Sequence, residues 1–564
     1  MTRPRPGARP TSTPSVLERY ERVWAVALLA LHAGLALWVA RENSVTFDEN
    51  FHVPAGVRIL AARDFATSYA QPPLPKTLYG LAALAAGARD PGSAQAGPGR
   101  ERFVGYAFMR ANAARYQRVY FAARLVALTG SLVLAVLVWR AARSRYGPRA
   151  GLMALALWAI LPETLAHAAI AGVDLPTALV FFGAALAWAA FLREGGVRPW
   201  AVASLWVAAA FLTRFSALQL FPALLAVTAV AAGRRALPRP SHAWVGLAVL
   251  PLVALVAIDL GYLLQVSFHP LAAMPANSTA FASLQRLAPG LRLPLPDAWL
   301  EGVDYLASLS QPGAKHSFLL GAVTTQHAWH YFPVAVAVKW PIGLLGLVLA
   351  RLATRPRGPG SLDLDAATGL AVTAVVALSC LASNLDYGVR YLLPVLPFAC
   401  VWVAGCAAAG VPRSRFVLAG LLVAGIAVES ARALPYPLSF FNALVGGPGR
   451  GDRIVNDSNV DWGQGLKALR RELDRRGIAR VHLAYHGTVD PALYGIDYVL
   501  YANGTPGPES DWLAVSSYFM VGLPARLTTR LGMSEESVTY DFQALRDRPP
   551  AARPAGCMYL FRIR

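Results

Sequence analysis

The chain has 564 residues, of which 55% are hydrophobic and only 15% are charged, and its net charge is +20. A mean hydropathy of +0.42 and several apolar runs close to the roughly 20 residues that cross a bilayer exclude an ordinary soluble protein. The positive charge clusters in short loops between apolar runs, which is typical of membrane topology and does not indicate nucleic-acid binding.

The first 20 residues are polar and rich in Pro and Arg, so the segment 1–20 is predicted to be a disordered tail. Apolar runs then follow one another as far as residue 430, and they predict a polytopic α-helical protein with about eleven transmembrane helices. The runs are 23–40, 119–139, 149–168, 172–192, 200–213, 215–232, 244–266, 328–350, 366–383, 390–408 and 414–430.

Short loops rich in arginine follow the even-numbered runs, at 140–145, 193–198, 233–235, 351–357 and 413–415. The positive-inside rule places all of them in the cytoplasm, together with the N-terminus. The loops 41–118 and 267–327 are then predicted to be exoplasmic. Long loops are largely exempt from the rule, so the basic residues within 41–118 do not contradict this orientation.

Hydropathy falls after about residue 431, and 431–564 is predicted to be a small exoplasmic α/β domain. Leucines at helical spacing predict a helix over 461–476, and short runs of β-forming residues predict strands at 480–485, 512–516 and 558–562.

Two adjacent carboxylates, Asp48 and Glu49, follow the first apolar run. Thr46-Phe-Asp-Glu49 matches a helix capping box, so a structural role is as well supported by the spacing as a chemical one. In the chemical role, one carboxylate is the general base that deprotonates an acceptor hydroxyl. His52 lies one turn beyond Asp48 and could share a metal ion with it, although this pair alone is weak evidence for one.

Asp174 opens the fourth run in Gly-Val-Asp-Leu-Pro, where it is predicted either to cap a helix or to act in the site. The predicted topology places it at the same membrane face as Asp48.

Four residues are candidates for holding a phosphate: Lys76, Lys339, Arg390 and Tyr391. Snorkelling to the interface explains Lys76 and Arg390 equally well. Lys339 lies inside a run, where a solitary charge is costly, so it requires a partner.

In the C-terminal region the motif Asp457-Ser-Asn-Val-Asp461-Trp-Gly-Gln-Gly465 stands out. Its acids are predicted to cap the helix after it or to bind the acceptor. The four cysteines show no metal or disulfide spacing.

These segments together resemble the C-type membrane glycosyltransferases that use polyprenyl-phosphate sugars, in particular the protein O-mannosyltransferase and lipid A aminoarabinose transferase group. The motifs that carry the resemblance are Asp48-Glu49, Pro72-Pro-Leu-Pro-Lys76, Asp174-Leu-Pro176, Lys339-Trp-Pro341 and Gly388-Val-Arg-Tyr-Leu-Leu-Pro394.

The resemblance covers about residues 20–430 and implies a transmembrane glycosyltransferase domain over 21–430. It implies an acidic residue at Asp48 or Glu49 as the acceptor base, cations including Lys76 and Arg390 near the donor phosphate, and inversion at the anomeric carbon. This chain has Gln71 where many relatives have His, so that residue's role is not transferred.

The sequence therefore predicts a transferase that moves a sugar from a polyprenyl-phosphate donor to a hydroxyl of a lipid, glycan or protein acceptor. It predicts a bacterial inner-membrane protein that contacts membrane lipids, and it leaves open whether a divalent metal takes part. The alternatives are an oligosaccharyl or polymer ligase with a lipid-pyrophosphate donor, a transporter of lipid-linked sugar, and a scaffold whose outer domain binds a partner.

Overall fold

The computed structural model describes residues 19–92, 100–354, 362–501, 507–529 and 532–563. Within these ranges, eight helices are long and apolar enough to cross a membrane, and two bent helix pairs raise the number to ten. The shorter apolar helix Val197–Phe211 accounts for the eleventh predicted run. The prediction of a polytopic helical membrane protein is confirmed. Most of the predicted tail, up to residue 18, lies outside the described residues.

The long helices that precede the C-terminal region pack against one another in a bundle, with shorter helices between them along the chain. Their bounds are α1 (Glu21–Glu42), α2 (Glu49–Ala62), α3 (Leu74–Ala85), α4 (Arg100–Ala111), α5 (Tyr116–Tyr146), α6 (Pro148–Ile160), α7 (Pro162–Ala168), α8 (Asp174–Glu194), α9 (Val197–Phe211), α10 (Leu220–Gly233), α11 (Pro240–Gly261), α12 (Thr279–Leu287), α13 (Asp297–Leu309), α14 (Tyr331–Lys339), α15 (Ile342–Leu352), α16 (Leu364–Ala382), α17 (Leu396–Val403) and α18 (Arg413–Ala433). A hairpin of β1 (Ser317–Leu319) and β2 (Ala322–Thr324) follows α13.

Two of the apolar runs are broken by a proline. The chain bends by 62° between α6 and α7 and by 110° between α14 and α15. Pro162 and Pro341 stand at these breaks, where the missing proline N–H removes a helical hydrogen bond. The second break places Lys339 at the end of α14 instead of in the middle of a continuous helix.

Helices α2 and α3 cross with their backbones in contact. A Cβ atom on Gly56 would lie 1.8 Å from the Lys76 carbonyl oxygen, and one on Gly80 would lie 2.2 Å from the Gly56 carbonyl carbon. Only glycine fits at such a crossing. The crossing holds Lys76 against the helix that begins beside Asp48.

The C-terminal region carries a mixed four-stranded sheet. Its strand order is β4-β3-β5-β8, in which β3 is parallel to both neighbours and β8 is antiparallel to β5. The remaining elements are α19 (Leu466–Arg476), β3 (Val481–Ala484), β4 (Tyr498–Leu500), β5 (Trp512–Ser516), α20 (Ser517–Met520), β6 (Ala525–Thr529), β7 (Gly532–Val538), α21 (Gln543–Arg546) and β8 (Met558–Arg562).

The core of this sheet domain is continuous with that of the bundle, because one hydrophobic cluster contains both Val57 and Phe181 of the bundle and Leu469 and Leu483 of the sheet domain. The three strands predicted from the sequence are present, while β4, β6 and β7 were not predicted. The predicted start of the helix at 461 is wrong: α19 begins at Leu466. The chain turns at Gly463, whose φ is +84°. This left-handed conformation is one that glycine adopts readily and that does not occur within a right-handed helix.

Candidate functional site

Asp48 occupies the N-cap position of α2, but its side chain accepts no hydrogen bond from the helix. It is instead 27% exposed and lies 3.3 Å from Nη1 of Arg390. Burial raises the pKa of Asp48 above its ordinary value; Arg390 opposes this effect and Asp174 adds to it. The carboxylate is therefore both reachable and more basic than an ordinary aspartate.

Asp174 is the first residue of α8 and is almost completely buried. The N-cap of α8 is Val173, and the Asp174 carboxylate accepts from Arg214 and Arg390, so the interpretation of Asp174 as the N-cap is wrong. It pairs with Arg390 at 3.2 Å and also with Arg214. Four residues thus form one continuous series, Asp48–Arg390–Asp174–Arg214, which we call the acid–arginine chain.

Aromatic rings hold both arginines of the acid–arginine chain in place. The Arg390 guanidinium lies 4.2 Å from the ring centre of Trp462, and that of Arg214 lies 4.7 Å from the ring centre of Tyr391. Nε of Arg390 is buried and has no hydrogen-bond partner among the described residues. A guanidinium that is fixed in position has the charge and the planar geometry that suit a phosphate.

Glu49, next to Asp48, is fully buried in a different network. Its carboxylate accepts two hydrogen bonds from Arg124, at 2.8 and 2.7 Å, one from the Ala171 N–H at 3.0 Å, and two from the N–H and hydroxyl of Thr46. The bond to the Thr46 N–H is the backward half of the predicted capping box. Burial alone would raise the pKa of Glu49, but the Arg124 guanidinium outweighs burial and holds it below its ordinary value.

Arg124 also connects Glu49 to the loop before Asp48. Its guanidinium donates to the carbonyl oxygens of Ala40, Asn43 and Ser44. With every oxygen of Glu49 occupied, this ion pair fixes the backbone from which Asp48 projects, and the structure does not bring Glu49 into the acid–arginine chain.

Lys76 is buried, and its ammonium donates to the carbonyl oxygens of Ser68 and Gln71, each at 2.5 Å. Burial lowers the pKa of Lys76 to about 7, against the opposing charge of Glu101. His52 is buried nearby, with no partner for either ring nitrogen among the described residues. Burial, reinforced by the charge of Lys76, lowers the pKa of His52 to about 3, so its imidazole is neutral at pH 7. Among the described residues, no group of three or more His, Cys, Asp or Glu could hold a metal ion.

Lys339 is directed to protein partners. Its ammonium donates to the carbonyl oxygens of Leu438 at 2.8 Å and Asn459 at 2.6 Å, and it lies 3.7 Å from Glu163. The predicted requirement for a partner is thus met within the protein, and the structure does not bring Lys339 into the acid–arginine chain.

The motif 457–465 binds the loop that carries Asp48. The Trp462 carbonyl accepts from the Phe47 N–H at 2.8 Å, and the Gln464 carbonyl accepts from the Ser44 N–H at 3.0 Å. The Ser44 hydroxyl donates to the Gly463 carbonyl at 2.8 Å. The motif therefore positions both the Asp48 loop, through its backbone, and Arg390, through the ring of Trp462.

The two acids of this motif have different surroundings. Asp457, with a φ of +60°, is half-buried and faces the charge of Arg390; burial raises its pKa to about 6. Asp461 is buried and accepts a hydrogen bond from the Gly463 N–H at 3.0 Å, and burial raises its pKa to about 7. The predicted capping of a helix by Asp461 is wrong, because α19 begins four residues after Trp462 at Leu466.

Sequence reasoning missed Arg124 and Arg214. Arg214 is the single residue between the apolar runs 200–213 and 215–232, and a charge at a junction that short was the available signal. Arg124 lies inside an apolar run, five residues after its start, where its charge was equally conspicuous.

The fold and these buried ion pairs define a multi-pass helical membrane protein with a charged site where the bundle meets a small sheet domain. The family model described as dolichyl-phosphate-mannose-protein mannosyltransferase matches residues 103–258. This match includes Arg124, Asp174 and Arg214. Over these residues it confirms the resemblance to the protein O-mannosyltransferase group that the motifs predicted.

Several solved structures are similar to the chain at low identity. ArnT from Cupriavidus metallidurans bound to undecaprenyl phosphate is 15% identical, with a TM-score of 0.43 over 84% of this chain and 74% of that one. AglB from Archaeoglobus fulgidus, in complex with an inhibitory peptide and a dolichol-phosphate, is 16% identical, with a TM-score of 0.41 over 73% of this chain. The match spans 55% of the AglB chain. No curated protein matches the chain.

Proposed function

We propose that the protein is a glycosyltransferase that moves a sugar from a polyprenyl-phosphate donor to an acceptor hydroxyl, with inversion, at the exoplasmic face of a bacterial inner membrane. The observation that carries the proposal is the acid–arginine chain, in which a reachable carboxylate is paired with an arginine that is fixed in position. The match to a family named for a lipid-phosphate sugar supports the donor class.

In the proposed reaction, Asp48 accepts the proton of the acceptor hydroxyl while the acceptor oxygen attacks the anomeric carbon. The bond between that carbon and the phosphate oxygen breaks, and the phosphate leaves with the electron pair. A single displacement from the opposite side inverts the anomeric carbon. Arg390 neutralises the charge that develops on the phosphate, and Tyr391 and Lys76 complete the set of residues that hold it.

The other two acids that were predicted to be catalytic, Asp174 and Glu49, orient the residues that react. Asp174 shares Arg390 with Asp48 and pairs with Arg214, so it orients both arginines. Glu49 orients the loop of Asp48 through Arg124. The three-partner contact of Lys339 and the backbone contacts of the motif 457–465 support a structural role for both. We propose that His52, as a neutral imidazole, lines the part of the site where the acceptor binds.

The proposed orientation has the N-terminus in the cytoplasm, with the loops 41–118 and 267–327 and the domain 431–564 on the exoplasmic side of the domain 21–430. It rests on the arginine-rich loops after even-numbered runs. The sheet domain contacts the Asp48 loop directly, so both belong to the same side whichever side that is.

Reconstitution tests the proposal. The full-length protein is placed in liposomes with a polyprenyl phosphate that carries a radiolabelled sugar, and free polyprenyl phosphate is measured by thin-layer chromatography. We expect its release to depend on the protein and on an added membrane extract as the source of acceptor. Movement of intact donor between leaflets without cleavage would establish a transporter, and release only from a pyrophosphate-linked oligosaccharide would establish a ligase.

A further inference from the structure

A second candidate binding site lies at the opposite end of the bundle from Asp48. A cavity of about 760 Å³ opens between the end of α15, the turn after α17 and the start of α18, and Tyr146 lines it. Both Tyr146 and Arg124 belong to α5, and 22 residues of helix at 1.5 Å each separate them by roughly 33 Å. That distance is the thickness of the apolar core of a bilayer, so the cavity lies at the other membrane interface.

Arg351 is held in place at the wall of this cavity. Its Nε donates to the Trp402 carbonyl at 3.2 Å and its Nη1 donates to the Thr354 hydroxyl at 2.7 Å. Gly405 leaves the room for it, because a Cβ atom there would lie 2.9 Å from Arg351 Nε. The guanidinium therefore has a fixed position before any ligand arrives.

The positive charge of the cavity is not neutralised by an acid. Three arginines elsewhere on this face do pair with acids: Arg143 with Glu21 at 2.7 Å, Arg193 with Asp365 at 2.6 Å, and Arg145 with Asp363. By contrast, neither Arg351 nor Arg415, the two cations in the cavity wall, forms an ion pair with an acid in the described part of the chain. The described wall contains no Asp or Glu. A cavity with two cations and no acid is complementary to an anion.

The apolar side of the cavity indicates which anion. Leu418 lines it, and exposed leucines continue from it along the two helices, at Leu349 and Leu352 of α15 and Leu421 of α18. A soluble phosphate would use the arginines alone, whereas a phospholipid would place its phosphate at the arginines and its acyl chains along the leucines.

We propose that this cavity binds the headgroup phosphate of an anionic membrane phospholipid. Arg351 contacts the phosphate from its fixed position, and Arg415, which is exposed at the start of α18, closes over it. The inference is independent of the proposed transferase activity, because it concerns the opposite face of the molecule.

The test is native mass spectrometry of the full-length protein, equilibrated with equal amounts of phosphatidylglycerol and phosphatidylethanolamine. We expect the unmodified protein to retain phosphatidylglycerol preferentially. The double variant Arg351→Gln/Arg415→Gln should reduce that retention about 10- to 30-fold, since each arginine near an anionic lipid changes affinity roughly fivefold. Retention of phosphatidylethanolamine should not change.

Two further variants separate this site from general surface charge. Arg140→Gln/Arg413→Gln removes the same charge from the same face without altering the cavity wall, and it should retain the lipid as the unmodified protein does. Gly405→Ala keeps every charge but displaces Arg351, and it should reduce retention. Equal losses in the Arg140/Arg413 variant, unchanged retention in the Arg351/Arg415 variant, or displacement of the lipid by millimolar glycerol 3-phosphate would each overturn the proposal.

Discussion

Asp48 and Glu49 are neighbours in the chain, yet they occupy opposite kinds of environment. Asp48 is partly exposed and reaches a single nitrogen of an arginine that it shares with Asp174. Glu49 is sealed from solvent and accepts five hydrogen bonds, two of them from an arginine of its own. A carboxylate with free lone pairs can accept a proton, whereas one whose oxygens are all occupied can only hold structure. We therefore infer that Asp48 accepts the proton and that Glu49 stabilises the structure around it.

The largest expected effect follows from removing the proposed base. Asp48→Asn keeps the size of the side chain and leaves Arg390 paired with Asp174, so the protein should fold and bind donor normally. We expect kcat to fall about 10²- to 10⁴-fold, the usual contribution of general-base catalysis. Release of polyprenyl phosphate by the purified variant measures it.

Asp90→Asn is the matched control. Asp90 is also 27% exposed and also contacts one arginine, Arg58 at 2.8 Å, but it lies outside the acid–arginine chain. It should transfer sugar at the unmodified rate. Full activity of Asp48→Asn would refute the assignment of Asp48 as the base.

Glu49→Gln should act on stability instead. The substitution leaves Arg124 buried without a counter-charge, a change that costs about 3–5 kcal/mol in comparable buried pairs. We expect a large drop in the thermal unfolding midpoint in detergent, with near-normal transfer by the fraction that remains folded. Partial recovery of stability in Glu49→Gln/Arg124→Gln would support this origin.

A loss of activity without a loss of stability in Glu49→Gln would exchange the roles of Asp48 and Glu49. If Glu49→Gln unfolds at the unmodified temperature but loses transfer as Asp48→Asn is expected to, the proton acceptor is Glu49 and its ion pair must open during the reaction.

Arg390→Lys tests the shared cation with a smaller change. Lysine keeps the charge but lacks the planar guanidinium that packs over the Trp462 ring while its Nη1 contacts both carboxylates. We expect the donor KM to rise roughly tenfold, which corresponds to the 1–2 kcal/mol of one charge-assisted contact. Arg193→Lys, at a half-exposed pair on the other face, should leave the KM unchanged. An unchanged donor KM in Arg390→Lys would remove Arg390 from the phosphate site.

Hydropathy predicted the bundle well, because crossing a bilayer imposes a length and a composition that a single sequence displays. All eleven predicted runs correspond to apolar helices in the described ranges. Composition could not show the proline breaks as sharp bends, and it counted α14 and α15 as one straight span.

The acid–arginine chain was only partly predictable from sequence. Asp48, Asp174 and Arg390 were each identified as candidates from their positions beside predicted membrane spans and from the family resemblance. Their pairing was not, because the contact between Asp48 and Arg390 joins residues 342 positions apart. Capping and catalysis also use the same residue types at a helix start, so only the observed partners could separate Asp48 from Glu49.

The smallest expected effect is on the pH profile, and it tests the environment of Asp48 directly. Only the ionised carboxylate accepts a proton, so kcat/KM should fall as the pH decreases through the pKa of Asp48. Because burial raises that pKa, the decrease in kcat/KM should occur at a pH above the ordinary value of about 4.

Two variants test which acid titrates. Arg390 favours the ionised form of Asp48, so Arg390→Gln should move the acidic limb of the pH profile to higher pH and reduce the relative rate at pH 5 a few-fold. Asp457, whose pKa is raised to about 6, is a further acid that faces Arg390, beyond Asp48 and Asp174, and Asp457→Asn should leave the limb in place. A limb that disappears in Asp457→Asn but persists in Arg390→Gln would show that Asp457, and not Asp48, titrates in the reaction.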